Sequence, residues 1–221
     1  MIRMHTHRSR AAVLLAVIAM AAACSSATVG SRRSSMSPVE KARADSAKWP
    51  YTKADIDFMS GMIHHHAQAI EMAKLAPTNG AGSSVSILTG RVINAQTDEI
   101  HVMQQWLRDR NQTVPEPNPK GMKMVMDGVE HVMPMPGMLT DAQMDTLKAA
   151  RGKQFDEFFL RYMIQHHQGA VTMVKTLINS RGAALDETVF KVASDINVDQ
   201  ETEIARMQKM LFNLLTEKSS Q

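Results

Sequence analysis

Apolar residues recur along most of this chain at helical spacing, three and four apart, and the breaks between the periodic stretches are marked by Pro and Gly. The pattern predicts a first helix that opens at a Thr52 to Asp55 capping box and runs to Ala76, where Pro77 stops it. A second helix is predicted from about Ser84 to Arg110. A stretch broken by Pro115, Pro117, Pro119, Pro134 and Pro136 follows, with room only for a short helix near Met124 to His131. Thr140 with Gln143 restarts a helix, which Gly152 interrupts and which continues to about Asn179. Asp186 then caps a last helix that reaches about Leu215. No strand alternation is read anywhere, so the expected class is all-α.

The helical stretches repeat. MIHHHAQAIEM, from Met62 to Met72, matches MIQHHQGAVTM, from Met163 to Met173, and QTDEIHVMQQWL, from Gln96 to Leu107, matches QETEIARMQKML, from Gln200 to Leu211. Each copy is a His-bearing helix followed by one bearing Glu and Met. Each such pair leaves an apolar face that the other can cover, so a pseudo-twofold four-helix bundle over residues 51–217 is the economical architecture.

The first 23 residues hold Arg3, Arg8 and Arg10, no acid, and a short apolar run from Ala11 to Ala23. They read as a signal peptide. Cys24, the chain's single cysteine, follows at once, and the junction resembles a bacterial lipoprotein signal. That resemblance implies cleavage before Cys24, lipidation of its thiol, and a lipid anchor on the periplasmic or cell-surface side of a bacterial membrane. Residues 24–50 then form a flexible Ser- and Arg-rich tether. The 25 Lys and Arg exceed the 22 Asp and Glu only through the three leader arginines. The remainder is neutral, and no nucleic-acid partner is expected. One Cys also excludes disulfides and thiolate clusters, so any metal must be held by His, Met or carboxylate.

Methionine is the outlier of the composition. Of 19 Met, 16 lie beyond the leader, against 11 Leu there, although Leu is ordinarily the commonest apolar residue. A Met on a helical stripe is ordinarily core filling. Met122, Met124, Met126, Met133, Met135 and Met138 are different: they flank His131 in the Pro- and Gly-broken loop 111–139, where no long apolar face needs them, and they are candidate soft-metal ligands.

On a helical wheel His66 falls on the inward stripe with Met62, His65 on its border, and His64 on the outer side. The second copy keeps His167 and His166 but has Gln165 at the outer position, so His64 is expected to be exposed. Met62 stands four residues from His66 and three from His65, and Met163 likewise from His167 and His166, spacings at which side chains meet on a helix. Thioether and imidazole together suit Cu(I), while the imidazole also accepts Cu(II). Glu99 and Glu203 share faces with Met103 and Met207, and each either ligates metal, orients an imidazole through its second nitrogen, or is a solvated rim carboxylate paired with Lys or Arg. His101 lies on the opposite face, with Ala205 as its counterpart.

These paired motifs, together with PMPGML from Pro134 to Leu139, resemble the CopM-like family, long filed as a domain of unknown function. The resemblance covers roughly Asp55 to Leu215. It implies a ferritin-like four-helix bundle and extracytoplasmic copper binding that contributes to copper tolerance. By match of position it implies a ligand set of Met62, His65, His66, Met72, Met103, Met163, His166, His167, Met173 and Met207, with Glu99 and Glu203. The expected protein is a copper-sequestering protein with no enzymatic activity. A ferritin-like di-iron or di-manganese oxidase is the alternative, but it needs Glu-x-x-His twice. The nearest fragment, Asp98-x-x-His101, occurs once, with Thr202 and Ala205 at the matching positions. A structural bundle in which His and Met merely pack is the third reading.

Overall fold

The computed structural model describes residues 50–219 together with Ser37, Glu40 and Ala44. The signal peptide, Cys24 and nearly all of the tether lie outside the described residues. Among those described, no helix is long and apolar enough to cross a membrane.

Helix α1 spans Lys53–Ala73 and opens as expected: Thr52 Oγ1 accepts from the Asp55 amide at 3.4 Å, and Asp55 Oδ2 accepts from the Thr52 amide at 2.6 Å. It ends three residues earlier than the sequence pattern suggested, in a turn that passes through Pro77 to Gly80. Helix α2 covers Ser83–Asp109. Beyond the Pro-rich loop, the expected short helix is replaced by a β-hairpin, β1 over Met122–Met126 and β2 over Val129–Met133, in antiparallel register. Its turn, Asp127-Gly128, has positive φ at both residues, 53° and 77°, as a type I′ hairpin turn requires. The Met/Val alternation around that Asp-Gly makes a strand here, so the expectation of no strands fails at this one place. Among the described residues the regular structure is otherwise helical.

Helix α3, Asp141–Ala149, is separated from α4, Gly152–Ile178, by the break expected at Gly152, whose φ is +53°. Helix α5 covers Glu187–Ser219. Asp186 caps it by accepting from the Thr188 and Val189 amides at 3.0 and 3.2 Å. The same carboxylate accepts from Trp106 Nε1 at 3.0 Å and pairs with Arg110, whose guanidinium lies 4.4 Å from the Trp106 ring centroid. This buried knot fastens the C-terminal end of α2 to the start of α5.

Helices α1 and α2 form one antiparallel hairpin, α4 and α5 the other, and the pairs meet chiefly through α1 and α4. The core has two apolar halves. One gathers Phe58, Met62, Met103, Trp106, Met173 and Ile196, and the other Met72, Leu88, Phe159, Leu160, Met163 and Met207. On each of the four long helices the two halves are separated by a short, mainly polar interval: 64 to 68 on α1, 94 to 99 on α2, 165 to 169 on α4 and 197 to 206 on α5. The bundle therefore carries a polar layer at mid-height, where the repeated motifs lie.

Candidate metal centre

The mid-bundle layer brings four imidazoles together. His65, His66, His166 and His167 are each fully buried. His65 of α1 and His166 of α4 face each other with ring centroids 3.8 Å apart at an interplanar angle of 37°, across the pseudo-twofold. His66 and His167 flank them, 6.2 and 6.4 Å from their neighbours on the same helix.

The outer nitrogens are held by the second helix of each pair. His167 Nε2 donates to Glu203 Oε2 at 2.7 Å. At the equivalent position His66 Nε2 lies 2.7 Å from Glu99 Oε2, but the approach is off the hydrogen-bonding direction, so this is a close polar contact without an aligned bond. Both carboxylates keep about a fifth of their surface in solvent, 20% and 22%, and so reach from the buried rings to the bundle surface. There Asp199 completes an acidic rim: partial burial, then the negative charges of Glu99 and Glu203, raise its carboxyl above the ordinary range. Such a rim favours the approach of a cation.

His65 Nε2 donates to the carbonyl of Pro136 at 3.0 Å, which leaves its Nδ1 as a bare lone pair. Burial, followed by the neighbouring His66, drives the His65 imidazole from its ordinary 6.5 down to about 3. Burial and the His65 ring push His166 down as well. The stacked pair is therefore neutral at physiological pH, the form in which imidazole ligates metal.

Buried side-chain polar atoms without an aligned hydrogen bond concentrate in this layer. They are Nδ1 of His65, both ring nitrogens of His66 and His166, Nδ1 of His167, the amide of Gln96, Gln200 Oε1 and Glu99 Oε2. Arg110 Nε is the one further case among the described residues. Buried polar groups are ordinarily satisfied, so this clustering at repeat-equivalent positions makes the layer the candidate site. Gln96 and Gln200 carried no expected role. Their signal was in the repeat itself, since each opens its second motif three residues before the Glu.

The methionines sort by the same symmetry. Met62 of α1 shares a core half with Met103 of α2 and Met173 of α4, while Met163 of α4 shares the other with Met207 of α5 and Met72 of α1. Each half thus gathers these three thioether side chains from three helices. No three His, Asp, Glu or Cys side chains among the described residues are placed to hold an ion by themselves. An ion at this layer would draw on imidazole and thioether donors together.

The segment from Met135 to Leu139 forms a lid over the layer. Gly169 makes it possible: a Cβ there would lie 1.9 Å from the Pro136 carbonyl oxygen, so only glycine lets that carbonyl cross α4 to reach His65. Met135 Sδ would sit 3.0 Å from a Cβ at Gly61. Gln68 holds the far end, donating to the Leu139 carbonyl at 3.0 Å and accepting from its amide at 2.6 Å. Two of the candidate loop methionines therefore belong to the lid: Met138 is buried, and its sulfur accepts from the Met135 amide at 3.1 Å. Met122, Met124, Met126, Met133 and His131 stand on the hairpin instead.

His64 is buried, contrary to the expected exposure, because the Pro-rich loop crosses the outer face of α1 and the Asn118 amide donates to His64 Nδ1 at 3.1 Å. Its counterpart Gln165 donates to the Gly137 carbonyl at 3.2 Å. The outer positions of the two repeats thus anchor different loops. One must accept from an N–H and the other must donate to a carbonyl, which accounts for His in one copy and Gln in the other. His101 is exposed.

The family model for DUF305, a domain of unknown function, matches residues 55–211. No curated protein matches the chain. Among solved structures, a DUF305 protein from Streptomyces coelicolor described as secreted is 29% identical with a TM-score of 0.61, covering 73% of this chain and 93% of that one. A DUF305 fragment from Deinococcus radiodurans is 28% identical with a TM-score of 0.61, covering 74% and 99%. CopM in its Cu(I)-bound form is 28% identical with a TM-score of 0.54, covering 72% and 96%, and CopM is also solved with Cu(II) and with silver. A helical bundle of two hairpins, with a family match over most of its length and CopM among its structural relatives, places this chain in the DUF305 family as a CopM-like member.

Proposed function

We propose that this protein binds copper at the mid-bundle imidazole layer and holds it away from other molecules, as a binding protein and not an enzyme. The observation that carries this reading is that Nδ1 of His65, His66, His166 and His167 are all buried and none makes an aligned hydrogen bond. A bundle with no ligand would be more stable with apolar residues there, since each unsatisfied buried group costs on the order of 1–3 kcal/mol. An ion that accepts those lone pairs removes the penalty.

The donor set favours Cu(I). Imidazoles beside Met62, Met103, Met173, Met72, Met163 and Met207 make a soft, neutral environment. Zinc would want four donors drawn from His, Cys and carboxylate, and among the described residues no three of these are placed to hold one ion. Glu203 on His167, and Glu99 beside His66, would fix the ring tautomers so that Nδ1 faces the ion. Carboxylates that reach solvent from the buried rings would give the ion a route inward. The copper-bound and silver-bound CopM structures support the same metal class.

In the same reading the protein works outside the cytoplasm, delivered by residues 1–23 and tethered through lipidated Cys24, and by holding copper there it contributes to copper tolerance. The secreted description of the Streptomyces relative supports the location. The test is anaerobic Cu(I) titration of the purified protein against a competing chelator, beside the double variant His66→Leu/His167→Leu. The wild type should outcompete the chelator, and the double variant should lose the buried copper. Equal copper retention by both would end this reading.

A further inference from the structure

We propose that one face of the β-hairpin is a second, surface copper site, with Met122, Met124, His131 and Met133 as its donors and Cu(I) as its ion. The register carries the assignment. Met122 pairs with Met133 and Met124 with His131, and residues paired directly across strands share a face, as do residues two apart along a strand. Three thioethers and one imidazole therefore occupy two adjacent rungs on the same side. The rungs are about 5 Å across and about 7 Å apart along the strand. Methionine's three rotatable bonds let sulfurs from such corners converge on one ion.

The rest of the hairpin is consistent with this use. Its charged residues, Lys123 and Glu130, lie on the opposite face and pair with each other at 2.8 Å, so no carboxylate from either strand stands among the donors. A face of thioether and imidazole without hard oxygen selects a soft ion over calcium or magnesium. The type I′ turn at Asp127-Gly128 fixes the register and so keeps the donors facing one another. Core filling does not explain these methionines: Met124, Met126 and Met133 are 44%, 50% and 45% exposed, and neither strand packs extensively on the bundle. Exposed apolar strands are a liability that selection ordinarily removes. This site is separate from the buried layer and stands or falls independently of it.

The test is anaerobic Cu(I) titration against a chelator series, with 13C-methyl methionine spectra, on three forms of the protein: wild type, Met122→Ile/Met124→Ile/Met133→Ile, and His66→Leu/His167→Leu. Isoleucine keeps the strand preference, and retention of the buried copper class shows that the triple variant is folded. In the wild type, Cu(I) should shift the methyl signals of Met122, Met124 and Met133 and the ring signals of His131, while Zn(II) should leave the methyls unmoved. The triple variant should lose one class of bound copper, and its remaining hairpin affinity should fall at least tenfold. If the triple variant binds as much Cu(I) as tightly as wild type, or the wild-type hairpin methyls do not respond, the site does not exist and the face serves a protein partner or nothing. Loss of hairpin copper in the triple variant with no change in the His variant would keep this site and remove the buried one.

Discussion

His65 of the first repeat and His166 of the second stack 3.8 Å apart at the centre of the bundle, both wholly buried. Two imidazoles at that distance cannot both carry charge, and their burial keeps them neutral. The pseudo-twofold of the sequence thus ends in a direct contact between equivalent residues, flanked symmetrically by His66 with Glu99 and His167 with Glu203.

Acid should destabilise the metal-free protein through these rings. His65 goes from 6.5 in the ordinary state to about 3 in the fold, and His166 moves in the same direction. Between those values the unfolded chain holds a proton that the folded chain refuses, so stability is full above about pH 6.5 and is lost as pH falls toward 3. The loss should be on the order of a few kcal/mol. Urea denaturation across that range measures it. A flat profile between pH 7 and 4 would contradict the burial of neutral imidazoles.

Substituting His66→Leu/His167→Leu should leave the metal-free bundle as stable as the wild type or more so, by about 1–3 kcal/mol, because it removes unsatisfied buried nitrogens. Chemical denaturation without metal checks this. A large loss of stability would mean that these rings are structural.

Gly169→Ala should destabilise the fold despite alanine's helix preference of about 1 kcal/mol over glycine. The added Cβ would meet the Pro136 carbonyl at 1.9 Å and push the lid off His65. A net cost of about 1–3 kcal/mol is expected from such overpacking, together with faster Cu(I) release. Denaturation and chelator-exchange rates together test it, and stabilisation by the substitution would show that the lid does not sit there.

Asp186→Ala separates structure from site. It strands Arg110 and Trp106 Nε1 and uncaps α5, so a loss of about 3–5 kcal/mol is expected for a broken buried pair. Copper stoichiometry measured below the melting temperature should stay at the wild-type value, since the knot lies away from the imidazole layer.

The helices and their repeat were legible because amphipathic periodicity and Pro/Gly punctuation are local signals, and because the two copies report on each other. The same comparison selected His65, His66, His166, His167, Glu99 and Glu203. It missed Gln96 and Gln200, which the repeat also preserves, because an amide on a helix face carries no chemistry by itself. His64 misled because a helical wheel assumes one buried face, whereas the Pro-rich loop covers a second. The hairpin was hidden among Pro and Gly, although Asp127-Gly128 between alternating Met and Val is a strong short-range hairpin signal. The role of Gly169 is a long-range contact with Pro136, and within the sequence its only trace is a glycine where a helix interior disfavours one.

The most direct test of the central claim follows the side-chain 15N signals of the histidines during titration of the purified protein with Ag(I), a redox-silent stand-in for Cu(I). Nδ1 of His66 and His167 should shift strongly on binding, while Nε2 of His167 keeps the signature of its Glu203 hydrogen bond. If silver binds and none of the four buried rings responds, the imidazole layer is not a metal centre.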